Sequence, residues 1–212
     1  MKAVIFDLDG VIIDSEPLYL EMNIKTFKHF DIHASEQDFN HFVGMTDVGV
    51  YTTSKEKYQV PYTIEEMLAY HSELVWDTFY HLEAEPIEGI RELLQTLKDH
   101  HIPTAIASSS PKKIIEVIIH KLKLDDYFQL IVSGQEVAQG KPAPDIFLEA
   151  AKRLQITPAD CVVIEDSKNG SIAAKKAGMK CIGFQNLNSG NQDLTNADLI
   201  VDAITQIDIL NF

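Results

Sequence analysis

Cysteine is scarce in this chain: Cys161 and Cys181 are the only two among 212 residues. Both lie in apolar stretches, and their spacing is not that of a metal site. This excludes a disulfide framework and a thiolate zinc site, and it suits two buried structural thiols in a reducing, cytoplasmic setting. Positive charge is also short. Eighteen Lys and Arg face 32 Asp and Glu, a net charge of −14. Such a surface repels phosphate backbones and anionic headgroups, so neither nucleic acid nor membrane is an expected partner. No apolar run approaches the length of a membrane span, and no basic segment followed by an apolar stretch opens the chain as a signal peptide would. Internal repeats and low-complexity segments are missing too. What is present is a hydrophobic fraction of 45%, enough for one large packed domain or a core with a small insert.

The chain is organised around residues 3–10, AVIFDLDG. The apolar run at 3–6 is too short for a helix and reads as a buried parallel strand. Asp7 and Asp9 follow at its carboxyl end, the edge where open α/β sheets bind ligands. Two residues apart on extended chain, their side chains point to one side. Gly10 lets the backbone turn tightly past them.

After this strand the texture is helical as far as residue 82. Pro17 suits a first helical turn, with Ser15 as its cap, and Leu20, Ile24, Phe27 and the pair Phe30/Ile32 recur at helical spacing. Residues 35–42 read as a second helix and 46–58 as a third, more polar one. Thr63 and Glu66 form a capping box opening a helix to about residue 82, with Tyr70 and Trp76 on its apolar stripe. From residue 86 onward strands alternate with helices. Strands are expected at 103–107, 128–132, 161–164, 180–184 and 199–201, the last followed by a C-terminal amphipathic segment. Helices are expected at 89–100, 112–123, 143–154 and 169–177. Doubly wound parallel sheets require alternation of this kind. The helical block is too long for a simple crossover. The expected architecture is therefore an α/β core of residues 1–14 and 83–212 with an inserted all-helical cap of residues 15–82 over the sheet edge.

Four polar segments follow strands or the helix leading away from one: Asp7-Leu8-Asp9, Ser108-Ser109-Ser110, Gly140-Lys141-Pro142 and Glu165-Asp166. Gathered at one sheet edge, the carboxylates would repel one another. At an effective dielectric of about 20, two unit charges 4 Å apart interact by roughly 4 kcal/mol. A hard divalent cation relieves this, and oxygen-only ligands with a phosphate nearby favour Mg²⁺. Asp7 can then attack phosphorus, as carboxylates do in forming aspartyl-phosphates. Asp9 can protonate the leaving oxygen and later activate water. Ser108, with the nearby backbone of Ser109, can hold phosphoryl oxygens, and Lys141 can balance charge.

Together the segments FDLDGVIIDSEP, AIASSS, GKPAPDIF and VVIEDSKNGSIAAKKAGM span nearly the whole chain, and the set resembles the haloacid dehalogenase superfamily. The resemblance is to the branch holding β-phosphoglucomutase and small sugar-phosphate phosphatases, with a Rossmann-like core. It implies Asp7 as nucleophile, Asp9 as acid/base, and Ser108 and Lys141 on the phosphoryl group. It implies Mg²⁺ held by the Asp7 carboxylate, the Asp9 carbonyl and Asp166, with Glu165 beside the metal or one shell out. Cap residues near Tyr19, Gly44 and Thr46 would select the substrate. Dehalogenases lack the second aspartate, so Asp9 argues against dehalogenation. Phosphonate-cleaving members carry a cap lysine near a Gly-rich turn, and here Gly44-Met45-Thr46-Asp47 supplies none. Phosphoglucomutases place a histidine where Tyr19 stands and an arginine where Asp47 stands. An aspartate there repels a second phosphate, which favours plain hydrolysis.

The expected protein is a Mg²⁺-dependent phosphatase, a monomer, acting on a small phosphorylated metabolite. The alternatives are a phosphosugar mutase and, from another class, a non-catalytic phosphate- or partner-binding protein.

Overall fold

The computed structural model describes residues 1–35, 38, 39, 42 and 45–212. It divides into two compact units, Met1–Asp14 with Glu83–Phe212, and Ser15–Leu82.

The first unit is built on six parallel strands: β1 (Ala3–Phe6), β2 (Thr104–Ser108), β3 (Leu130–Ser133), β4 (Cys161–Glu165), β5 (Lys180–Phe184) and β6 (Leu199–Val201). Their order across the sheet is β3-β2-β1-β4-β5-β6. β1 is thus central, with Phe6 level with Ile106 on one side and Ile164 on the other. The chain winds outward from β1 to β3, then returns to β4 and winds the other way. The reversal opens a crevice beyond the carboxyl ends of β1 and β4, where no crossover covers the edge. Asp7 continues that pairing, its N–H donating to the Ile164 carbonyl at 3.0 Å.

β1, β2 and β4 are buried along their whole length, as strands covered on both faces must be. On one face Ala3, Ile5, Ala105, Ala107 and Val163 pack with Ile146, Phe147, Ala150, Ala173 and Ala174. The last five come from two helices, Asp145–Leu154 and Lys168–Lys176. Small residues in the strands let these helices approach closely. Two further helices, Ile90–Asp99 and Lys112–Lys121, bury Leu93, Leu94, Leu97, Ile115 and Ile118. Cys161 and Cys181 are buried free thiols, and burial pushes them up to about 11 and about 12.

The second unit contains three helices with complete bounds: α1 (Glu16–His29), α2 (Asp47–Tyr58) and α3 (Ile64–Tyr80). Its core gathers Phe27, Phe30, Ile32, Phe42, Val50, Tyr51 and Met67. The Thr63–Glu66 capping box is formed in full, and Thr46 caps α2 by accepting from Gly49 N at 3.2 Å. Of the helix expected over 35–42, residues 38, 39 and 42 are helical and the others after 35 lie outside the described residues, as does Gly44.

Several expectations are corrected. Ser15 occupies the cap position of α1, but its hydroxyl makes no capping bond, because its backbone is already helical at φ −93° and ψ −14°. Leu20 and Ile24 are exposed, and the buried face of α1 is Met22, Thr26 and Phe27. Thr26 is tolerated there because its hydroxyl donates to the Met22 carbonyl at 2.9 Å. Trp76 is exposed and stacks on Tyr80 at 5.9 Å, while Met67, His71, Val75 and Phe79 form the buried face of α3. After β6 the chain makes a single 3-10 turn at Ile204–Gln206, and the C-terminal segment is amphipathic as expected, burying Ile204 and Ile209. No described helix is long and apolar enough to cross a membrane.

Candidate active site

Parallel pairing delivers the acidic ends of β1 and β4 side by side. Asp7, Glu165 and Asp166 are all buried, and each offers a carboxylate oxygen within 4.8 Å of the others. Lys141 reaches them from the segment before the Asp145–Leu154 helix. Its Nζ lies 2.8 Å from Asp7 Oδ1 and 2.6 Å from Glu165 Oε1. The same ammonium stands 5.2 Å from the Phe147 ring centroid, over a π-face that favours a cation. Glu165 is spoken for at both oxygens: Oε2 accepts from Ser167 N at 2.8 Å and from Ser167 Oγ at 2.9 Å. Asp7 Oδ1 has the Lys141 charge beside it but no hydrogen bond of good geometry.

Two glycines make the crowding possible. A Cβ at Gly10, where φ is +76°, would stand 1.9 Å from Asp166 Oδ2. One at Gly170 would stand 1.6 Å from Glu165 Oε1. Only glycine fits at either place.

Three buried carboxylates share one ammonium, so the cluster is short of positive charge. Burial is the main force raising Asp7, to about 7. Lys141 opposes it, and Glu165 and Asp9 push the same way as burial. Asp166 is raised by burial, then by Glu165 and Asp7. Burial works to lower Lys141, but the Coulombic pull of Asp7 and Glu165 outweighs it and holds the ammonium above its ordinary range. The donor set is all oxygen, anionic and under-compensated, which fits a hard divalent cation and not a soft one.

Asp9 sits beside this cluster and is half-buried. Its Oδ2 accepts from Ser110 Oγ at 2.7 Å and from Ser108 Oγ at 3.4 Å. Ser108 Oγ in turn accepts from Ser110 N at 3.0 Å. Ser109 is exposed, with its backbone against Gly134. The structure therefore brings together Asp7, Asp9, Ser108, Lys141, Glu165 and Asp166. Ser109 is near in sequence but turned outward, and Thr46 belongs to the second unit.

Sequence reasoning left Ser110 without a role of its own and missed two further residues. Ser110 takes the closer bond to Asp9. Ser189 Oγ donates to Asp166 Oδ2, and Asn186 Nδ2 donates to the Gly10 carbonyl at 3.0 Å. The signal for the last two is positional: the polar loop after β5 leaves the same sheet edge as Asp7 and Asp166.

The profile of the haloacid dehalogenase-like hydrolases matches residues 4–184. The chain is 36% identical over 213 residues to a bifunctional riboflavin kinase/FMN phosphatase of Arabidopsis thaliana, covering 97% of this chain and 54% of that protein. It thus spans about half the length of that relative. It is 34% identical over 182 residues to a phosphorylated carbohydrates phosphatase of Thermotoga maritima, covering 86% and 84% of the two chains. The crystal structure of a β-phosphoglucomutase from Clostridium difficile superposes with a TM-score of 0.78 at 27% identity, over 100% of this chain and 95% of that one. With its match spanning all but the ends of the sequence, the chain belongs to the haloacid dehalogenase-like hydrolase family.

Proposed function

We propose that this protein is a Mg²⁺-dependent phosphatase that hydrolyses a small phosphomonoester, a sugar phosphate by preference, through an aspartyl-phosphate on Asp7, and that Ser15–Leu82 is its cap domain. The observation that carries the reading is the buried contact of Lys141 with both Asp7 and Glu165, at 2.8 and 2.6 Å, next to Asp166.

In this reading an Asp7 oxygen attacks phosphorus as the ester oxygen departs. Asp9, oriented by Ser110, gives its proton to that oxygen, a contribution of about 10²–10⁴ in rate. Asp9 then takes a proton from water as the water attacks the phosphorus of phospho-Asp7, releasing phosphate and restoring the carboxylate. Ser108 and the backbone around Ser109 hold phosphoryl oxygens. Lys141 stays charged throughout and offsets the developing negative charge. The Asp7 carboxylate, the Asp9 carbonyl and Asp166 would hold Mg²⁺, and Glu165, whose oxygens bond Lys141 and Ser167, would support them from one shell out. When bound, the cation supplies further positive charge against the phosphoryl oxygens. Thr46 remains the substrate-contact candidate of the cap.

The β-phosphoglucomutase likeness supports a second reading, transfer of the phosphoryl group between positions of a sugar. Asp47, half-exposed and 3.6 Å from His71 Nε2, is a poor partner for a second phosphate. Phosphate release across a panel of phosphomonoesters, with MgCl₂ and with EDTA, tests the first reading. Mg²⁺-dependent release is the expected result. No release on any of them would return the chain to a non-catalytic binding role. β-Glucose 1-phosphate with a trace of the bisphosphate separates the two enzymes: free phosphate supports hydrolysis, and glucose 6-phosphate supports the mutase.

A further inference from the structure

The loop after β5 does more than close the sheet. Residues 187–189 form one 3-10 turn, and three side chains of the loop bond to Asp166, to the Gly10 carbonyl and to Asp14. Ser189 Oγ donates to Asp166 Oδ2. Asn186 Nδ2 donates to the Gly10 carbonyl at 3.0 Å, while its Oδ1 accepts from Asn188 N at 2.9 Å. Asn188 Nδ2 donates to Asp14 Oδ2 at 2.6 Å. The loop therefore grips the turn after β1 at two places, Gly10 and Asp14, and holds Asp166 between them. The packing leaves no slack, since a Cβ on Gly10 would come within 2.7 Å of Ser189 Oγ as well as striking Asp166.

Asp14 has a special place in the chain. It is the last residue of the first unit before the second begins at Ser15. Its Oδ1 is buried without a hydrogen-bond partner among the described residues, and the Asn188 amide bonds the other oxygen, Oδ2. Leu187, by contrast, is 91% exposed. The loop keeps an apolar side chain in solvent, and its bonds to Gly10, Asp14 and Asp166 hold it there.

We infer that Asn188, with Asn186 and Ser189, is a positioning residue that ties the exit point of the chain at Asp14 to the cation-binding geometry of Asp166. The inference rests on the functional reading above and extends it to residues outside the acidic cluster. Outer-shell partners of a metal carboxylate typically carry about 10–100-fold in affinity.

Calorimetric titration of the intact chain with MgCl₂ tests it, with thermal unfolding in EDTA measured alongside. Ser189→Ala, which removes the bond to Asp166, should weaken Mg²⁺ binding by about 10–100-fold, and Asn188→Ala should weaken it by a smaller but measurable factor, each leaving the metal-free midpoint close to wild type. Asn188→Asp alone should be worse, since it sets two carboxylates together. Asp14→Asn combined with Asn188→Asp exchanges donor and acceptor and should recover most of the affinity, and this pair decides the matter if Asn188→Ala fails to fold. Equal affinity in wild type and Asn188→Ala, or no recovery in the exchanged pair, overturns the inference alone. A wild-type protein that binds no Mg²⁺ overturns the functional reading and the inference with it.

Discussion

The two units bury different kinds of atoms. The first takes three carboxylates and an ammonium out of water at the end of its sheet. The second builds its core from Phe27, Phe30, Tyr51, Met67 and their apolar neighbours. Burying rings and methyls stabilises a fold directly, by about 25 cal/mol per Å². Burying under-compensated charge does the opposite, because desolvation of each ion exceeds what one shared partner returns. The first unit therefore carries a local electrostatic cost at Asp7 and Asp166 that its sheet and packed helices must offset. The contrast separates a region packed for stability from one whose buried charge marks the candidate site.

The largest test of that contrast is Asp7→Asn. Phosphate release should fall by at least about 10³-fold, as removal of a covalent nucleophile requires. The metal-free protein should be no less stable, since a costly buried carboxylate has been neutralised. A steady-state assay and a thermal melt check both halves. Lys141→Ala should do the reverse to stability. It leaves Asp7 and Glu165 without their cation and should cost about 3–5 kcal/mol in urea unfolding, with activity lost as well.

The raised Asp7 makes the cost depend on pH. Between about 4 and about 7 the folded state holds a proton on Asp7 that the unfolded chain has released. Stability of the EDTA-treated protein should therefore fall as pH rises through that window, and MgCl₂ should flatten the slope. Urea midpoints across the range measure it. In the second unit the effects should follow packing alone. Met67→Ala, at a fully buried position, should cost about 2–5 kcal/mol. Trp76→Ala, on an exposed face, should stay within about 0.5 kcal/mol.

The same contrast governs what could be read from the sequence. Strands of the first unit were legible because short apolar runs end abruptly in charge or hydroxyl, at Phe6-Asp7, Ala107-Ser108 and Ile164-Glu165. Parallel pairing then forces those ends together. Asp7, Ser108 and Asp166 could be found this way without any knowledge of distance, whereas Lys141, which follows no strand end directly, stands out only as one member of the set of four polar segments. Ser189 is not singled out: the polar loop after β5 leaves the same sheet edge, but nothing in its sequence marks which of its residues reaches Asp166. In the second unit hydrophobic spacing located the helices but misjudged their faces. Leu20, Ile24 and Trp76 are apolar yet exposed, whereas Thr26 and His71 are polar yet buried. Helix register is decided there by what packs opposite, as Phe27 against Tyr51 and Tyr19 against Phe79. Periodicity within one segment does not contain that information.

The central claim is that the Asp7 carboxylate bonds to phosphorus. Rapid acid quench during turnover of a phosphomonoester with MgCl₂, followed by peptide mass spectrometry, tests it directly. A transient mass increase of one phosphoryl group on the peptide carrying Asp7, missing in Asp7→Asn, is the predicted result. Turnover at full rate with no phosphorylated peptide, or with the label on another residue, would contradict it.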